Sequence, residues 1–81
     1  MKTIFVIEIF EKNGSSFVNQ VEVEKSDPQT IMRIFSVSEN DPLMYNSYKV
    51  DEIINVLLYA EMGLNFNIEK YDCYAGYRAC S

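Results

Sequence analysis

The chain has 81 residues, of which 48% are hydrophobic, 14% aromatic and 23% charged. This length and composition predict a single globular domain over residues 1–81 and exclude intrinsic disorder. No apolar run is long enough to cross a bilayer. The chain contains no histidine, which removes His-based catalytic triads and the common zinc sites.

The charge is strongly negative, with twelve acids, seven bases and a net charge of −5. Most of it falls in residues 39–72, which hold seven acids and two bases. A surface this acidic repels phosphate, so we expect no direct nucleic-acid binding. A basic protein is the natural partner, although solubility alone also explains an acidic surface.

The first half of the chain predicts a β-hairpin. Residues 3–11 are apolar on both faces of a strand, as in a central strand that is covered on both sides. Residues 16–24 alternate apolar and polar side chains. Asn13-Gly14, between them, tolerates the positive φ angles of a tight turn.

Two helices are expected after the hairpin. Asp27 and Pro28 are typical of a helix start and precede a short amphipathic segment. Residues 36–49 are expected to form a loop, and a second helix runs over residues 50–62 and ends at Gly63. Its apolar residues have core-facing helical spacing and are Val50, Ile53, Ile54, Leu57 and Leu58.

The last part predicts further strands. Leu64, Phe66 and Ile68 alternate, and residues 71–77 alternate in the opposite phase, so a bulge or tight turn is expected near residues 69–70. The fold class is therefore α+β: an antiparallel sheet of three to four strands opened by a β-hairpin, with one short and one longer helix packed on one face.

The two cysteines predict a reducing, cytoplasmic location. On one extended strand, Cys73 and Cys80 lie about 23 Å apart, far beyond disulfide reach. Two cysteines without histidine make no metal site, and we expect neither metal nor cofactor.

No catalytic arrangement is visible. Asp51 and Glu52 are adjacent on a helix and point about 100° apart, so they cannot act as a pair. Glu69 and Asp72 can approach each other across a turn, but we do not expect them to act as an acid–base pair. Cys73 has no histidine to activate its thiol, so it is not expected to be a nucleophile. The sequence predicts a protein that is not an enzyme.

The aromatic residues indicate an interaction surface. All six tyrosines lie at or after residue 45, in or just beyond the acidic part, and tyrosine is enriched at protein interfaces. Tyr59 is expected opposite the core side of its helix, although packing on a neighbouring loop is the alternative. The candidate partner-binding residues are Glu39, Asp41, Tyr45, Tyr48, Asp51, Glu52, Asn55, Tyr59, Asp72 and Tyr74.

The order of these segments resembles a known group of proteins. The hairpin IFEKNGSSFVNQVEVEK, the acidic loop SENDPLMYNSY and the closing segment VDEIINVLLYAEMGLNFNIEKYDCYAGYR are together similar to small acidic immunity proteins of bacterial nuclease toxins. The cloacin-type bacteriocin immunity proteins and the contact-dependent growth inhibition immunity proteins are the two groups concerned. The resemblance implies a cytoplasmic inhibitor that binds a basic nuclease domain. It assigns no individual binding residue.

Two other functions remain open. One is a phage-type inhibitor that mimics nucleic acid, such as an anti-CRISPR protein, which would use the same acidic, tyrosine-bearing surface. The other is a non-catalytic interaction domain.

Overall fold

The computed structural model describes residues 2–13, 16–24, 26–37, 39–41 and 44–80, with the backbone alone for Lys2 and Cys80. The elements in chain order are β1 (Lys2–Glu11), β2 (Phe17–Val23), α1 (Pro28–Phe35), β3 (Tyr48–Lys49), α2 (Glu52–Met62) and β4 (Tyr71–Cys80). The protein is an α+β domain with a four-stranded sheet, opened by a hairpin and carrying two helices. The predicted fold class is confirmed.

The sheet has the strand order β2-β1-β4-β3, and every neighbouring pair is antiparallel. The apolar β1 is therefore an inner strand, as its two apolar faces predicted. Asn13 has the left-handed backbone expected of the turn, with φ 58°. Its predicted companion Gly14 lies outside the described residues. The ladder between β1 and β2 shifts register between Ile9 and Phe10, close to that turn.

The start of α1 and the end of α2 lie at the expected residues, whereas α2 begins at Glu52, two residues later than expected, with Asp51 as its cap. The Asp27 carboxylate accepts hydrogen bonds from the Gln29 amide and the Thr30 hydroxyl, and Pro28 occupies the first turn. The Asp51 carboxylate accepts from the Ile54 amide at 2.8 Å. Gly63 ends α2 in the left-handed conformation with φ 70°, where its amide donates to the Tyr59 carbonyl.

The core lies between one face of the sheet and the helices. The strands contribute inward side chains such as Phe5 and Ile7 of β1 and Ala75 of β4, and α1 contributes Ile31 and Phe35. In α2 only Leu58 is fully buried, and Ile54 is partly buried.

The prediction therefore assigned too many residues of the second helix to its core-facing side. Ile53 and Leu57 are exposed, because α2 directs Ile54 and Leu58, at spacing i and i+4, toward the core. Val50 is buried as expected, but it precedes the helix and pairs with β4 through its amide.

One strand prediction and part of one loop prediction were also wrong. Residues 64–68 form no strand; Leu64, Phe66 and Ile68 still pack alternately against the core, but the segment is irregular. Their alternation reflects alternating burial, without hydrogen bonding to a neighbouring strand. Conversely, the expected loop over residues 36–49 ends in β3, whose two residues pair with β4. The turn expected near residues 69–70 is present, closed by the Lys70 and Tyr71 amides on the Asn67 carbonyl.

Cys73 is a buried free thiol on β4. Burial, together with the neighbouring Asp72 carboxylate, raises the pKa of this thiol, so the group is kept in its neutral form. Within the described parts of the chain, no helix combines the length and the apolar character that a membrane crossing requires.

Candidate partner-binding surface

The outward side of α2 is apolar. Ile53, Val56, Leu57 and Ala60 are all exposed, and Ile53 and Val56 are 72% and 63% exposed. These residues stand at i, i+3, i+4 and i+7, so they form one continuous row along the helix. We call this row the α2 stripe. Tyr59, exposed by 63%, lies beside it.

The charged residues of α2 are all acidic. Asp51 caps the helix, Glu52 follows in its first turn, and Glu61 lies in the last turn, where the negative end of the helix dipole disfavours a carboxylate. None of the three has an ion-pair partner among the residues that the structure describes. In the described part of the chain, the two ends of the α2 stripe thus carry acids that have no ion-pair partner.

Asn55 holds the irregular segment after α2 in place. Its side-chain amide donates to the Phe66 carbonyl at 2.9 Å, and its Oδ1 accepts from the Phe66 amide at 3.1 Å. Both polar ends of Asn55 are therefore bonded within the chain. A shallow groove of about 250 Å³ lies between α2 and this segment, lined by Asn55, Val56, Tyr59 and Asn65.

Asp41 organises the chain that leads into β3. Its carboxylate accepts hydrogen bonds from the amides of Tyr45 and Asn46 and from the Tyr48 hydroxyl, at 2.8–3.0 Å. These bonds, the one from Asn46 first, outweigh the effect of burial and lower the pKa of Asp41. We call residues 41 and 44–48 the Asp41 loop.

The Asp41 loop is fixed to β4. The buried Met44, held in the left-handed region at φ 54°, accepts the Tyr77 amide at its carbonyl. The Arg78 guanidinium lies over Gly76 and donates to the Tyr45 carbonyl and the Ser47 hydroxyl. It also pairs with Glu8 of β1 at 3.3 Å. The loop is part of the folded body of the domain.

Asp41 and Tyr48, both among the predicted partner-binding residues, are bonded inside the fold. Asp41 is only 8% exposed and its carboxylate is satisfied inside the chain. Tyr48 donates its hydroxyl to Asp41 and packs its ring on Phe35, with 6.4 Å between ring centroids. Both residues are built into the fold.

Asp72 and Tyr74 also make their contacts within the sheet and the hairpin turn. The Asp72 carboxylate lies 3.3 Å from Lys12 Nζ and 3.8 Å from Lys49 Nζ, and it accepts the Asn13 amide. Burial opposes its ionisation, but the Asn13 amide and the two lysines together lower its pKa. The Tyr74 ring packs against Phe10 at 5.9 Å. Asp72 therefore connects β4 with the turn of the hairpin.

The structure brings together only part of the predicted set. Asp51 caps α2, and Glu52, Asn55 and Tyr59 lie on it; Asn55 is half-buried and the other three are exposed. Glu39 is exposed elsewhere. Tyr45 lies beside α1, in a shallow cavity with Pro28 and Met32.

Two exposed residues, Ile53 and Leu57, were missed because helical spacing assigned them to the core. The available signal was the width of the apolar side of α2, which exceeds what one face can bury.

One protein-family model covers almost all of the architecture described above. A family model described as a domain of unknown function (DUF7683) matches residues 4–76. The chain belongs to this family. The matched range runs from within β1 into β4 and includes all of α2 and the Asp41 loop. A search of curated proteins found no match.

Proposed function

We propose that this protein is a cytoplasmic, toxin-neutralising immunity protein that binds and blocks a basic bacterial nuclease toxin domain. The observation that carries the proposal is the distribution of paired and unpaired charge. Lys12 and Lys49 pair with Asp72, and Arg78 pairs with Glu8, within the sheet and the hairpin turn. The acids of α2 have no such partner among the described residues, so their field is available to steer a basic protein.

The resemblance to nuclease-toxin immunity proteins supplies the class of partner. Inhibition by contact requires no catalytic group in the inhibitor. The buried free thiol of Cys73 agrees with a reducing compartment, which is where an immunity protein against an intracellular nuclease acts.

A nucleic-acid mimic is the less favoured alternative. Nucleic acid carries a phosphate at every step of its backbone. In α2, by contrast, the acids stand at the two ends, with the apolar α2 stripe between them. That arrangement suits a protein surface with an apolar centre and a charged rim.

The test is co-expression in bacteria with each reading frame adjacent to the gene of this protein. We expect one neighbouring product to stop growth when expressed alone, and this chain to restore growth. The purified pair should form a complex in which the toxin's nuclease activity is lost. If no neighbouring product is toxic, or if this chain protects against none, the proposal is wrong.

Charge steering is tested on that purified complex. Glu52→Gln together with Glu61→Gln should slow association by about tenfold at low salt and by less at high salt. The matched control is Glu22→Gln with Glu24→Gln, two exposed acids on and just after β2. Equal effects of the two double variants would mean that net charge, rather than the α2 acids, controls association.

A further inference from the structure

The side chains of the α2 stripe are poorly explained by the fold alone. Ile53 and Val56 direct most of their surface to solvent, although neighbouring positions on the same helix are polar. The helix needs only its inner residues, chiefly Leu58, for packing. A stable helix would be favoured by polar residues at the outward positions and by a base rather than Glu61 at its end. An exposed apolar patch of this kind marks an interaction site.

The surrounding charge restricts what can cover the stripe. A second copy of the chain would pair α2 with α2. In an antiparallel pair, Glu52 of one copy meets Glu61 of the other, and in a parallel pair each acid meets itself. Either arrangement brings like charges together, which is unfavourable. An anionic membrane is disfavoured for the same reason.

We infer that α2 is a recognition helix, which inserts the α2 stripe into an apolar cleft bordered by lysine or arginine residues on a basic protein partner. This rests on the proposed function only for the identity of the partner as a toxin domain. The apolar contact supplies the buried centre of the interface, and the acids at the helix ends meet the basic border. The groove beside Val56 and Tyr59 has room for a side chain of the partner.

The first experiment uses the toxin complex. Ile53→Gln with Leu57→Gln replaces two stripe residues with polar residues that are compatible with a helix. We expect the affinity to fall by about a hundredfold, mostly through faster dissociation, and protection against the toxin to be lost. The matched control is Val18→Gln, which alters an exposed apolar residue on β2, and it should retain full affinity. Thermal unfolding of each variant verifies the fold, and Val56→Gln serves as a second variant if the double variant unfolds.

The second experiment needs no toxin. The probe is an 18-residue synthetic helical peptide with leucines on one face and lysines on the other, added to the isotope-labelled native chain. We expect amide resonance shifts concentrated in α2 and absent in the double variant. The same peptide with glutamate in place of lysine should produce none.

The outcomes separate the two proposals. Full protection by the Ile53→Gln/Leu57→Gln variant would overturn the recognition helix and leave the immunity function standing. Absence of any cognate toxin, with lysine-peptide shifts still confined to α2, would overturn the immunity function and support the recognition helix. Sedimentation that shows a native dimer, lost in the double variant, would instead assign the stripe to a second copy and overturn the inference.

Discussion

The Asp41 loop and helix α2 are drawn from the same acidic, tyrosine-bearing part of the chain, yet they use their residues in opposite ways. In the loop, the carboxylate of Asp41 and the ring of Tyr48 are turned inward and bonded to the chain itself. In α2, the carboxylate of Glu52 and the ring of Tyr59 face solvent. Similar composition thus produces a structural element in one place and an open surface in the other.

The difference follows from what the backbone requires. The loop has no helical hydrogen bonds of its own, so its amides need a side-chain acceptor, and Asp41 provides it. A helix satisfies its own interior amides and needs further partners only at its ends, where the Asp51 carboxylate and the Gly63 backbone amide supply them. The remaining outward positions of α2 are therefore free to serve recognition.

The largest effect is expected from a comparison of two adjacent leucines, one on the buried side of α2 and one on its exposed side. Leu58→Ala should lower the free energy of unfolding by about 2–5 kcal/mol, because Leu58 is fully buried and its removal leaves a cavity. Leu57→Ala, one residue away and exposed, should cost less than about 1 kcal/mol. Chemical denaturation of both variants provides the measurement. Equal losses would mean that α2 is rotated relative to the arrangement described.

A second prediction concerns the packing of the Asp41 loop against β4. Gly76→Ala should destabilise the domain by about 1–3 kcal/mol, because the added Cβ would lie 2.7 Å from the Asn46 carbonyl oxygen and against the Arg78 guanidinium. The backbone carbonyl cannot move away as a side chain can. Thermal or chemical unfolding measures the loss.

The matched variant for Gly76→Ala is Arg78→Met, alone and in combination. If the guanidinium is the main obstacle, the double variant should lose less than the two single variants added together. Strict additivity would assign the cost to the Asn46 carbonyl. Full stability of Gly76→Ala would contradict the close packing of the loop on β4.

A smaller loss is expected where α2 holds the irregular segment that follows it. Asn55→Ala removes two hydrogen bonds to Phe66 and should cost about 1–2 kcal/mol. Amide hydrogen exchange at Phe66 should accelerate relative to that of Leu58. Asn65→Ala is the control, because its contact with Asn55 is longer, at 3.4 Å. If exchange at Phe66 is unchanged in Asn55→Ala, the segment is held by its apolar contacts instead.

Much of the fold was predictable from local patterns. The alternation around Asn13, the Asp27-Pro28 start and the Gly63 end each depend on chemistry within a few residues. The irregular backbone of residues 64–68 was not, because alternation reports burial and a strand also needs a hydrogen-bonding neighbour. The two-residue β3 depends on the position of β4 and leaves no local pattern.

The candidate surface was less predictable than the fold. The acidity of α2 and the exposure of Tyr59 followed from the sequence and are found in the structure. The structural use of Asp41 and Asp72 did not follow, because their partners are amides and lysines placed by tertiary structure. Ile53 and Leu57 were assigned inward because periodicity cannot decide which side of a doubly apolar helix faces the core.

A final and weaker effect is expected in acid, where the Asp41 carboxylate of the loop contributes to the stability of the domain. The pKa of Asp41 in the folded chain is below its ordinary value of 3.8, because the Asn46 amide and the other loop donors favour the carboxylate. The folded state therefore binds a proton at Asp41 less readily than the unfolded state does. The resulting stabilisation is present above pH 3.8 and is lost as the pH falls through the lowered, folded-state pKa.

Asp41→Asn should remove this contribution, so its free energy of unfolding should fall less between about pH 5 and about pH 2.5 than that of the native chain. The variant should stay folded, because asparagine keeps one acceptor oxygen for the loop amides. It should still lose some stability in acid, because Asp72 contributes a dependence of the same sign that remains in the variant. Glu39→Gln, a change at an exposed acid two residues away, should leave the native pH dependence intact. Denaturant titrations at the two pH values measure both variants. An unchanged pH dependence in Asp41→Asn would mean that the loop is not held by the ionised carboxylate, and the contrast between the structural loop and the open helix would lose its electrostatic basis.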